Sequence, residues 1–104
     1  MDDPNASREL IADPPAGPRR RILVRIDAPR LLPDTSWHCI ASIEGLSQRP
    51  IDAHGGDSLQ ALLLAIQNVR VFLDRFVKDG GKLYYPGEET EDPVPIAELF
   101  SDGA

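Results

Sequence analysis

Two histidines and one cysteine, His38, Cys39 and His54, are the side chains best suited to hold a soft metal or move a proton near neutral pH. Read as a strand, residues 36–44 (SWHCIASIE) alternate, so Cys39 and His38 point to opposite faces and cannot share one ion. His38 and His54 can share the exposed face of neighbouring strands with Glu44 and Asp52, a set of imidazoles and carboxylates that suits a small ligand or a divalent metal. Solvated histidines on a sheet give the same pattern, so no metal or cofactor is assigned. A nucleophilic Cys39 would need a base beside it and a lowered pKa. As a small apolar side chain within a strand it reads instead as core.

The junction before the long apolar segment holds the other reactive types. Ser58 follows Asp57, with His54 close by, but the serine lacks the glycine-flanked turn of a hydrolase nucleophile. Gly55-Gly56 precedes a helix start, where phosphate can bind, yet the spacing fits neither a Walker loop nor a dinucleotide fingerprint. Asp57 would also repel an anion there. Turn and cap geometry account for residues 55–58, and no enzyme activity is expected.

These residues hang on one long element. Residues 57–81 (DSLQALLLAIQNVRVFLDRFVKDGG) read as an amphipathic helix, with Asp57 as cap, Gln60 reaching back to the cap's own N–H, and Gly80-Gly81 as the stop. Leu59, Leu62, Leu63, Ile66, Val69, Leu73, Phe76 and Val77 define the expected inward stripe. Leu64, Val71 and Phe72 fall off it, and Arg70 lies at its edge. Those three off-stripe residues face another chain, or else the C-terminal tail folds back over them.

Strand signals flank the helix. Residues 19–28 put Ile22, Val24 and Ile26 on one face, residues 36–44 put Trp37, Cys39, Ala41 and Ile43 on one face, and residues 50–54 return as a shorter strand. Residues 7–12 read as a short edge strand, 82–85 as an added strand, 29–34 as a Pro-bounded loop, and 95–100 as a single helical turn. Short connections favour antiparallel neighbours. The expected fold is α+β: an antiparallel sheet of three to five strands with one long helix, in the C-terminal half, packed on one face.

A chain of 104 residues with 41% hydrophobic side chains suits a single domain, residues 1–104. Residues 1–6 are expected to fray, and 88–104, acidic and without a basic residue, to form a tail that is partly ordered at most. One cysteine, no signal-like start and no membrane-length apolar run fit a cytoplasmic protein. A net charge of −6 argues against nucleic acid and anionic membrane as partners.

Several motifs together resemble a bacterial family of short proteins classed as a domain of unknown function. They are Trp37-x-Cys39, Ile43-x-Gly45-Leu46, the helix opening Asp57-Ser58-Leu59-Gln60-Ala61-Leu62, Gly81-x-Leu83-Tyr84 and Gly87-Glu88. The resemblance spans residues 7–95 and implies a small cytoplasmic α+β protein, without implying a reaction. Tyr85 stands where tryptophan is more usual in that family, and the acidic tail is particular to this chain. The reading that follows is a non-enzymatic interaction module, self-associating or binding another protein in the manner of small immunity proteins. Leu64, Val71 and Phe72 are its expected interface. The alternative is a small-molecule or metal-binding module that uses His38, Glu44, Asp52 and His54.

Overall fold

Alternation in the sequence becomes a sheet with one dry face. In the computed structural model, which describes residues 5–100, β1 (Ala6–Asp13), β2 (Arg20–Ile26), β3 (Arg30–Leu31), β4 (Trp37–Glu44) and β5 (Ile51–Gly55) precede helix α1 (Ser58–Lys78). Strand β6 (Lys82–Tyr84) and a single turn, α2 (Ile96–Leu99), follow it. All strand pairs are antiparallel, in the order β3-β4-β2-β1-β6, with β5 on the other side of β4. The architecture is α+β, as expected, but the sheet has six strands where three to five were expected.

The extra strand explains the difference. Residues 29–34 read as a loop because proline interrupts them. Nevertheless Arg30 and Leu31 pair with His38 and Trp37, and a tight turn with Thr35 at φ 69° closes the hairpin. Two residues carry no periodicity, so only register against β4 makes them a strand. No described helix is long and apolar enough to cross a membrane.

Both helix end signals work. Asp57 Oδ1 accepts the Gln60 N–H at 2.8 Å, while Gln60 Oε1 accepts the N–H of Gly56 at 2.6 Å, one residue before the expected target. At the other end Gly80, at φ +103°, allows Gly80 N–H to reach Val77 O and Gly81 N–H to reach Phe76 O, a Schellman ending.

The inward face of α1 differs from the expected stripe. Ala61, Ala65, Val69 and Leu73 are its buried residues, one turn apart, against Cys39, Ala41, Ile43 and Ala53 of the sheet. Leu62, Ile66, Phe72 and Phe76 flank them, half-buried. Leu59 and Leu63 are instead 63% and 55% exposed. The stripe drawn through the largest apolar side chains is rotated because alanines, not leucines, mark where the helix axis comes nearest the sheet. A small side chain lets backbone approach backbone, and the larger residues then fill the widening wedge on either side.

The chain after β6 turns back onto the sheet. Val94 N–H donates to Leu83 O at 2.8 Å, and Val94 and Ile96 are buried. The expectations for residues 1–4 and 101–104 lie outside the described residues.

Candidate functional site

β1 is unevenly covered along its two edges. One edge pairs with β2 from Ala6 to Ala12, but on the other β6 reaches only Ile11, Ala12 and Asp13. Among the described strands none pairs with the outer edge from Ala6 to Leu10, and Ala6, Ser7, Arg8 and Glu9 are all exposed. Half of the backbone N–H and C=O groups on this stretch therefore face outward, able to receive another strand.

A slot of about 220 Å³ lies against this open edge. Val24 and Ile26 of β2 and Ile66 and Leu73 of α1 line it, and Leu99 and Phe100 form the wall opposite β1. Among the described residues its lining is apolar except for Ser7 and Arg8. Each wall has a sequence reason: Arg8 and Leu10 fall on the helix-facing side of β1, Ile66 sits one flank off the buried row of α1, and Leu99 ends the turn that Ile96 anchors in the core.

Two arginines stand at the slot. The Arg8 guanidinium lies 4.8 Å over the Tyr85 ring, whose hydroxyl donates to Glu98 Oε2 at 2.5 Å. That hydrogen bond, aided by burial and by the Glu98 charge, raises the Tyr85 pKa above its ordinary value. Arg70 lies 5.6 Å from the Phe100 ring centroid and 3.9 Å from Asp74 Oδ2. It covers apolar surface and meets a carboxylate at once.

The expected interface residues separate. Val71 is 59% exposed, whereas Leu64 and Phe72 are half-buried and pack on the core. Phe72 lies only one position before buried Leu73 and contributes to the core flank, and the other exposed large apolar residues of α1 are Leu59, Leu63 and Val77.

The histidine set divides as well. Register places His38 directly opposite His54, their rings stacked with centroids 4.6 Å apart and planes 17° apart. His38 Nε2 is buried and lies 3.4 Å from Asp52 Oδ1, without a hydrogen bond. Glu44, at the far end of β4, lies 3.7 Å from Arg25 instead. Among the described residues no group of three or more His, Cys, Asp or Glu side chains is placed to hold a metal ion. Cys39 is fully buried, its thiol 3.4 Å from Asp27 O, and burial together with the Asp27 charge pushes its pKa up, the wrong direction for a nucleophile.

Residues 6–96 match the family described as a domain of unknown function, DUF6968. The chain belongs to DUF6968. No curated protein and no solved structure matches it. The DUF6968 span opens on the first residue of β1 and closes on the first residue of α2, so it takes in the open edge and the slot's floor. Leu99 and Phe100, the slot's outer wall, lie beyond it.

The slot was not visible in the sequence. The only local signal was the weak alternation of residues 7–12. The rest depends on where β6 stops and on the tail's return.

Proposed function

We propose that this DUF6968 protein is a non-catalytic interaction module that docks a segment of another polypeptide along the open edge of β1. The observation that carries this reading is the meeting of an unpaired strand edge with an apolar slot. Main-chain hydrogen bonds along an edge supply affinity, and pockets for alternate side chains supply selectivity. The slot's size favours the same reading: about 220 Å³ is below the roughly 300–1,000 Å³ typical of small-molecule sites. It exceeds the roughly 150 Å³ cavity that accepts benzene, and so admits one or two apolar side chains.

Selection from a displayed random-peptide library tests the proposal. Selected peptides should bind the natural chain and lose at least about tenfold affinity to Ala6→Trp, which fills the slot from an exposed strand position, while Leu63→Glu leaves binding unchanged. Peptides insensitive to Ala6→Trp but abolished by Leu63→Glu would move the interface to the outer helix face.

A further inference from the structure

We infer that the slot takes the C-terminus of its partner: an extended apolar segment lying parallel to β1, with its terminal carboxylate bound by Arg8. This rests on the docking reading above and adds the chemistry and direction of the occupant.

An added strand has a fixed stopping point. The open edge runs from Ala6 to Leu10, and at Ile11 the same edge is taken by Tyr84 of β6. A strand added beside Ala6–Leu10 is therefore collinear with β6 and meets it end to end. Five residues of edge span roughly 15 Å at about 3.3 Å per residue. The incoming chain must end there or bend sharply into the Tyr85 ring, and a chain end needs no bend.

Charge selects which chain end arrives. Among the described residues the slot's lining contains one charged side chain, Arg8, which falls on the helix-facing side with Leu10 and Ala12. Its guanidinium carbon lies 4.8 Å over the Tyr85 ring. A guanidinium carries five N–H donors in a planar fork that matches a carboxylate, and among the described residues none accepts a hydrogen bond from Arg8. Among the described residues no carboxylate forms an ion pair with Arg8, whereas the neighbouring Glu9 is already paired with Arg21 at 2.6 Å. A terminal ammonium at that position would meet the arginine as a like charge. The carboxylate end is the one that fits, and it fixes the strand direction as parallel to β1.

The lining selects the side chains of the occupant. Val24, Ile26, Ile66, Leu73, Leu99 and Phe100 offer no hydrogen-bonding side chain, so the last residues of the occupant are aliphatic or aromatic.

Fluorescence anisotropy with labelled octapeptides ending in Val, Leu or Ile, each made as free acid and as C-terminal amide, tests this. The free acids should bind at least about tenfold tighter than the amides, the size expected for a charge-assisted hydrogen-bonded pair. Arg8→Gln should bring the acids down to the amide level and leave the amides unchanged, while Arg8→Lys keeps part of the preference. Unchanged binding of the amides in both variants shows that the site itself stays formed. Equal binding of acid and amide, a preference that survives Arg8→Gln, or saturation by octanoate without displacement by any peptide would each overturn the inference. If library peptides blocked at both ends bind in a manner abolished by Ala6→Trp, the docking reading stands and the C-terminal occupant alone fails. If no library peptide depends on the slot, both fail.

Discussion

The Arg8 guanidinium carbon lies over the Tyr85 ring, 4.8 Å from its centroid, at the point where β6 leaves the edge of β1. The contact ties the open half of β1 to the returning tail, because the same tyrosine donates its hydroxyl to Glu98 in α2. Strand edge, slot and outer wall thus form one connected unit. The segment that limits the open edge also supplies the slot's wall.

The Tyr85 hydroxyl gives that unit a pH signature. Its pKa is raised, first because the hydroxyl donates to Glu98. A group whose folded pKa lies above its unfolded value stabilises the fold fully below the unfolded pKa and loses that contribution as pH rises through the folded one. Tyr85 should ionise above the ordinary tyrosine range, read as the tyrosinate absorbance that is lost in Tyr85→Phe. The same substitution should speed amide exchange in α2, with a stability cost of less than about 1 kcal/mol because the pair is exposed. Ionisation of Tyr85 within the ordinary range would contradict the contact.

Helix substitutions should follow the alanine row. Ala65→Leu forces three heavy atoms into the closest helix–sheet contact and is expected to cost about 1–3 kcal/mol or more in urea denaturation. Leu63→Ala, at an exposed position, should stay within about 0.5 kcal/mol of the natural chain. Leu73→Ala should cost about 2–5 kcal/mol. The reverse order for Ala65 and Leu63 would restore the stripe drawn from the large residues.

The junction between β5 and α1 should tolerate no side chain at Gly55. A Cβ built there lies 2.6 Å from the Ala61 backbone nitrogen and 3.0 Å from Gln60 Cβ. Since the nearest atom is main chain, relief requires moving the first turn of α1 away from its cap. Gly55→Ala is expected to destabilise by about 2 kcal/mol or more, and Asp57→Ala by about 1 kcal/mol, both read from the denaturation midpoint.

Cys39 should be inert to thiol reagents in the native state. It has no exposed surface, and its pKa is raised by burial. Modification should therefore appear only at the rate of unfolding, with one equivalent released in denaturant. Rapid labelling under native conditions would place the thiol outside the core.

Local pattern made the main strands and α1 legible, and alternation alone set Cys39 in the core and His38 on the opposite face of the sheet. The caps were readable because Asp57, Gln60, Gly80 and Gly81 act within a few residues of one another. What depended on contacts far apart in sequence was not readable. The two-residue β3 exists only by pairing with β4, and the slot requires β1, β2, α1 and α2 to meet across some ninety residues of chain. The orientation of α1 was missed for another reason: weighting side chains by size hides the small residues that set closest approach. Phe72 was therefore assigned outward, although it packs beside Leu73.

An amide NMR titration of the chain with a free-acid, valine-ended octapeptide tests the central claim most directly. The account expects saturable shifts confined to Ala6–Leu10, Ile66, Leu73, Leu99 and Phe100, with new exchange protection along the β1 edge. Shifts centred on Leu59, Leu63 and Val71, or on His38 and His54, with β1 unchanged, would contradict it.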